Sequence, residues 1–275
     1  MSYRVISVFL NQGNDIGRVS NFAAGLATCF GARLNVEFLE YFPRAGLDPY
    51  GQAAQLMAQI EENNREIRER EQAEFARLAE SNGLRFSWHT SRSYDWMDAI
   101  PSTRASDLVV VGQPNPADPQ AAIGTGMAGH ILLQSGRPVI FLPYAMPAPE
   151  RYGNVVIAWD GSRSAARAVS DAMPLLYGAN KVWVLTANKE KEARRTMPDI
   201  DLGIYLAEHE LNVEIVENNI AGIDAGNWLL SSATDLNADL LVMGAYGHSR
   251  FGELVLGGVT RTVLKSMTLP TIMSH

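Results

Sequence analysis

The stretch ADLLVMGAYGHSRFGELVLGGVTRT, Ala238 to Thr262, decides the fold. Its apolar run, Leu240 to Met243, has the composition of a parallel strand buried on both faces. Gly244 and Gly247 follow, then Gly257 and Gly258, then Val259, Thr260, Val263, Leu264 and Met267 at helical spacing. A strand, a glycine-punctuated loop and a helix start, in that order, can cradle a phosphate. Glycine lets backbone N–H groups approach an anion with no Cβ between them, and a helix start adds unpaired N–H groups and a partial positive charge. The same glycines would also serve a plain strand-to-helix turn, and the residues alone leave both readings open.

Working outward, the stretch has a counterpart 132 residues earlier. ASDLVVVG, ending at Gly112, matches NADLLVMG, ending at Gly244; Ile131-Leu132 matches Val263-Leu264, and Pro138 matches Pro270. A repeat of this length carries one βα architecture twice. Short apolar runs alternate with helical patterns in both halves, which predicts an α/β chain of two tandem, doubly wound, five-stranded parallel-sheet domains of Rossmann-like form. The domains are expected at 1–146 and 153–275, joined by Tyr144–Gly153 with Pro147 and Pro149. In the first half, strands are expected at Arg4–Leu10, Leu34–Leu39, Leu84–His89, Asp107–Val111 and Pro138–Leu142. A long charged helix is expected from Gln52 to Ser81, with Leu56, Ile60, Ile67, Phe75 and Leu78 on its apolar face and its charge run solvated through i,i+4 pairs. A helix over Asp95–Ala105 should be interrupted or kinked at Pro101. In the second half, Val155–Trp159 is the first strand and Ser162 the N-cap of the helix after it.

The spacing Gly244-x2-Gly247-x9-Gly257 resembles the nucleotide-binding motif of the universal stress protein family, in which Ser or Thr follows the last glycine. Here Gly258 follows it, and Thr260 stands two residues on with a hydroxyl near the helix start. The resemblance covers both halves and implies a tandem member with an adenine nucleotide alpha hydrolase-like fold and strand order 3-2-1-4-5 in each domain. It implies an adenine nucleotide, ATP or else AMP or ADP, with or without Mg²⁺, in the second half. Carried over, Asp160 lies at the adenosine, and the backbone of Thr186 and Ala187 at the adenine edge. Gly244, Gly247, Gly257 and the Gly258-Val259-Thr260 turn lie at the phosphates, and His248 touches a phosphate or faces solvent. Family members pair through their last strands, which implies intramolecular pairing of the two domains or a homodimer.

The first half lacks these parts. Its first strand ends at Leu10-Asn11 with no acid there, and Gly112 is followed by QPNPADPQ, whose prolines remove backbone donors. Its Gly124-x-Gly126-x-x-Gly129 does not follow a strand and is expected to mark the last helix rather than a dinucleotide loop. The net charge of −7 argues against a broad nucleic-acid or anionic-membrane surface. No run of about 20 apolar residues spans a membrane and no signal-peptide pattern opens the chain, so a cytoplasmic protein is expected. Cys29, the one cysteine, cannot form an internal disulfide and is expected buried and inert. The histidines have no mutual metal-ligand spacing, and no metal site or catalytic residue is assigned. Three functions follow: a stress-response regulator that binds ATP in its second half, a non-catalytic interaction module with a vestigial site, or a slow ATPase.

Overall fold

The computed structural model describes residues 2–12, 16–41, 52–92, 96–113, 115, 121–145, 152–188, 199–219, 224–246 and 257–275. The chain divides into two compact units, Tyr3–Ser135 and Gly136–His275. The first contains β1 (Val5–Asn11), α1 (Ile16–Phe30), β2 (Arg33–Glu40), α2 (Gln52–Ser81), β3 (Phe86–Arg92), α3 (Trp96–Thr103), β4 (Leu108–Gly112) and α4 (Ala121–Gln134). The second contains β5 (Val139–Leu142), β6 (Asn154–Trp159), α5 (Arg163–Leu176), β7 (Lys181–Asn188), α6 (Asp199–Glu208), β8 (Val213–Asn219), α7 (Ala225–Asp235), β9 (Leu240–Gly244), α8 (Gly258–Ser266) and β10 (Thr271–Ser274).

In the first unit β2 lies between β1 and β3, and β1 lies between β2 and β4, all parallel. In the second, β10, β9, β6, β7 and β8 follow one another in parallel, so the order reverses between β6 and β9. These are the doubly wound orders expected. β5 adds to the second unit on the outside of β10 and runs antiparallel to it, with Ile140 opposite Ile272. The apolar central strands form the core: Val109 and Val110 in β4, and Leu240, Leu241 and Val242 in β9, are all fully buried.

Each repeat fixes its first strand with one carboxylate. Asp107 Oδ2 accepts hydrogen bonds from the backbone N–H groups of Arg4 (2.7 Å) and Val5 (2.9 Å). Asp239 Oδ2 does the same for Gly153 and Asn154, both at 2.8 Å. The two aspartates are themselves 132 residues apart, so the repeat extends from the strand pattern to a tertiary contact.

Four expectations need correction or refinement. Cys29 is exposed: it shares the helical face of Phe22 and Leu26, but burial along α1 ends at Ala27, and Cys29 lies in the last turn beside the exposed Thr28. Leu56 on α2 is 53% exposed. A helix of 30 residues is about 45 Å long at about 1.5 Å per residue. Strands of seven or eight residues cover only about 25 Å at about 3.3 Å per residue, so α2 overshoots the sheet; its burial gathers at Asn64, Phe75 and Ala79. The charge run of α2 is not a set of i,i+4 pairs among the described residues. Glu62 pairs with Arg65, Arg70 with Glu71, and Arg68 reaches across to Glu40, which is 4% exposed. Finally, α3 runs through Pro101 without a break. Gly124, Gly126 and Gly129 lie within α4, as expected.

Candidate functional site

The site is built where β6 and β9 end side by side. Register pairs run from Val155–Leu240 to Ala158–Met243, so Trp159 and Gly244 close the two strands together. Past Trp159 the chain turns through Asp160 and Gly161, whose φ of +71° suits glycine. Asp160 is exposed, and its Oδ1 accepts a hydrogen bond from the Ser162 N–H at 2.9 Å. The acid expected at the adenosine therefore also shapes its own loop. Ser162 is the N-cap of α5, accepting from the Ala165 N–H at 3.1 Å, as its sequence position indicated.

Gly244 has a packing reason to be glycine. A Cβ there would lie 2.4 Å from the backbone nitrogen of Ala165 and 2.7 Å from Ser164 Oγ. The first turn of α5 thus rests directly on the end of β9. Beyond Gly244, Tyr246 has a left-handed φ of +63°, an outlier for a bulky residue and the kind of strain that collects at functional loops. Its ring meets His275 edge to face at 5.5 Å, and burial raises its phenol above the ordinary value. Gly247 and His248 lie outside the described residues.

The loop returns at Gly257, the N-cap of α8. The N-caps Ser162 and Asp224 each bond a backbone N–H with a side-chain oxygen, whereas Gly257 has no side chain to do so. Additional Cβ atoms at Gly257 and Gly258 would meet nothing within 4 Å. Val259 and Thr260 complete the first turn, and Thr260 is 3% exposed, turned into the protein. α8 is held in place by close approach to α7, where a Cβ on Gly226 would lie 2.6 Å from Thr262 Cβ.

Thr186 and Ala187 lie on β7, whose ladder with β6 ends at the pair Trp159–Thr186 while its ladder with β8 continues through Ala187 and Asn188. At the matching place in the first unit, the β1–β2 ladder runs one pair further, to Asn11–Leu39, and the Gln12 N–H donates to Leu39 O at 3.0 Å. Gln12 Oε1 accepts from the Tyr41 N–H at 2.8 Å, and Asn64 Nδ2 donates to Tyr41 O at 2.8 Å. Gln12 and Asn64 also bond each other at 3.2 Å. Two side-chain amides thus take up the backbone groups that would face a base. No sequence signal marked this network, because it joins residues 52 positions apart.

Sequence reasoning also passed over the side chains of Trp159 and Thr186. Trp159 Nε1 and Thr186 Oγ1 are buried and lack a hydrogen-bond partner among the described residues. The available signal was an indole at the end of a core strand, immediately before an acid.

A doubly wound α/β chain, with the mouth of one unit at the point where its strand order reverses, belongs to the class that holds ligands beyond the carboxyl ends of its strands. Residues 151–275 match the universal stress protein family, and the chain is similar to that family through this domain. The universal stress protein Slr1230 of Synechocystis sp. is 28% identical over 126 residues, 43% of this chain and 41% of that protein. The chain therefore spans about two-fifths of that relative's length. Among solved structures, a universal stress protein from Archaeoglobus fulgidus DSM 4304 superposes with a TM-score of 0.74 at 14% identity, over 98% of this chain and 95% of that one. A protein of unknown function from Pseudomonas aeruginosa PAO1 superposes with a TM-score of 0.59 at 18% identity, over 99% and 92%. Both likenesses concern the fold, and they extend it over nearly the whole chain.

Proposed function

We propose that this protein is a stress-response regulator of the cytoplasm that binds one adenine nucleotide, ATP or its di- or monophosphate, in the mouth formed by β6, β7, β9 and α8. The observation that carries the reading is the contrast between the two β-strand ends. The β6–β7 ladder stops at Thr186, leaving the next backbone groups of β7 on that side for a base edge, whereas Gln12 and Asn64 close the equivalent place on β2. Asp160, at the end of β6, suits a ribose hydroxyl and would repel a phosphate. The phosphates then run toward Gly244, Gly247, His248 and the N-terminal turn Gly257-Gly258-Val259-Thr260. That turn offers backbone N–H groups with no side-chain cap competing for them.

Among the described residues no cluster of three or more His, Cys, Asp or Glu stands ready for a metal. A Mg²⁺ would therefore enter on the phosphate oxygens. No general base is assigned, and the output is conformational or through a partner rather than turnover. The reading includes pairing of the two sequence repeats within one chain. The antiparallel β5–β10 ladder, which joins the last strands of the two repeats, supports it.

A second reading, an interaction module with a vestigial site, is favoured by one observation: neither Gly257 nor Gly258 brings a hydroxyl to the start of α8. Denaturing the purified full chain and identifying any released nucleotide by mass spectrometry, followed by calorimetry with ATP, separates the two. One nucleotide per chain is expected. No binding favours the interaction module, and two equivalent sites would overturn the assignment to the second half.

A further inference from the structure

Trp159 and Thr186 are register partners at the carboxyl ends of β6 and β7. Partnered residues of parallel strands face the same side of the sheet, and neighbouring strands lie about 4.8 Å apart. The two polar side-chain tips are therefore neighbours on one face. Thr186 is 3% exposed, and both Trp159 Nε1 and Thr186 Oγ1 are buried with no hydrogen-bond partner among the described residues. Buried polar atoms in folded proteins are nearly always bonded, so each such orphan calls for a partner beyond the described residues. These two stand side by side in register at the carboxyl ends of β6 and β7, the end at which the mouth opens.

Their chemistry is unequal. An indole N–H only donates, while a hydroxyl can accept. We propose that the two side chains read the base of the bound nucleotide: Trp159 Nε1–H donates to a purine ring nitrogen, and Thr186 Oγ1 accepts from the exocyclic amine beside it. A ring acceptor next to an amine donor is the edge that adenine presents. The proposal rests on the nucleotide reading above and adds to it the source of base selectivity. In that reading the backbone of β7 reaches the base but leaves these two side chains unused. Trp159→Phe removes the donor and keeps an aromatic ring, and Thr186→Val removes the hydroxyl and keeps the shape.

The test measures affinity of the full chain for ATP, for purine riboside triphosphate, which lacks the exocyclic amine, and for 1-deaza- and 7-deaza-ATP, which each lack one ring nitrogen. Wild type should bind ATP more tightly than the amine-free analogue and than one of the deaza analogues. Each variant should bind ATP more weakly by about two- to twelve-fold, the worth of one neutral hydrogen bond. Thr186→Val should no longer distinguish ATP from the amine-free analogue, and Trp159→Phe should no longer distinguish ATP from the disfavoured deaza analogue. If folded variants keep the wild-type ratios, the base-reading pair is wrong while the nucleotide site stands. If a variant fails to fold, the wild-type ratios still decide, since equal affinity for ATP and all three analogues overturns the proposal. If wild type binds no ATP, the nucleotide reading itself fails and takes this inference with it.

Discussion

A Cβ on Gly244 would stand 2.4 Å from the backbone nitrogen of Ala165, closer than side-chain carbons approach backbone in folded proteins. The contact is with the first turn of a helix, so relief requires moving α5 off the sheet rather than turning a side chain. Gly244→Ala should therefore destabilise the second unit by about 1–3 kcal/mol, the usual cost of overpacking. The loss should be present with no nucleotide added, read as a lower urea midpoint. Gly112, the counterpart 132 residues earlier, meets side chains rather than backbone, Val19 Cγ2 at 2.9 Å and Arg18 Nη2 at 3.9 Å. Gly112→Ala should cost less. Equal midpoints for Gly244→Ala and wild type would remove the packing account.

That relationship shows how far the sequence could be read. Periodicity and the repeat gave the strands and the Ser162 cap, because each is a local pattern or a repeated one, whereas the strand order was implied by the family resemblance alone. The close approach of Ser164 and Ala165 to Gly244 was hidden, since a glycine needed for a close helix looks the same as one needed for a phosphate. The Gln12–Asn64–Tyr41 network depends on where distant segments meet. Nothing at Gln12 or Asn64 alone announces it. Cys29 was misread because periodicity gives its face on α1, shared with Phe22 and Leu26, but not that its last turn lies past the end of the buried run.

Glu37 offers a test through pH. Ser102 Oγ lies 2.6 Å from Glu37 Oε1 and 2.7 Å from Ala99 O. One hydroxyl proton cannot serve both acceptors in full. The hydroxyl divides its proton between the two, so the Glu37 carboxylate receives less than one full hydrogen bond from it. Burial raises the Glu37 carboxyl above the ordinary carboxylate value, opposed by the Ser102 hydrogen bond and by His89 across the β2–β3 pair. A carboxyl whose folded pKa is raised contributes stability that is complete below its unfolded pKa and is lost as pH rises through the folded value. Glu37→Gln, a neutral mimic, should exceed wild type in stability at pH 8.5, and by less at pH 4.5. Urea unfolding at both pH values checks this, and a gap independent of pH would count against a raised Glu37 carboxyl.

The paired aspartates should behave as structural twins. Each of Asp107 and Asp239 accepts two backbone N–H groups at the start of a first strand, with no shared hydrogen-bond partner. Hydrogen bonds to a charged acceptor are worth about 1.5–3 kcal/mol, so Asp107→Ala and Asp239→Ala should each destabilise by about 2 kcal/mol or more. Asp→Asn at either site keeps an acceptor oxygen and should recover part of the loss. The double alanine variant should show near-additive loss, because the sites share no partner. Loss at only one of them would mean that the repeat keeps the contact without its energetic role.

Gly258 carries the most direct test of the phosphate end. Its helix begins at an N-cap with no side chain, and a Cβ on Gly258 would meet nothing within 4 Å. Its φ also lies outside the left-handed range that only glycine tolerates well. Gly258→Ser should therefore fold as wild type and place a hydroxyl beside the N–H groups of α8. If ATP phosphates dock there, the added neutral hydrogen bond is worth about 0.5–1.5 kcal/mol, or about two- to twelve-fold in affinity. Adenosine, which has no phosphate, should gain nothing from the same change, so the ratio of ATP to adenosine affinity isolates the contact. A rise in ATP affinity without one for adenosine fixes the phosphates at the start of α8. An equal rise for both would put the new hydroxyl against the sugar or base and reverse the direction in which the nucleotide lies; no change for either would take the phosphates away from this helix.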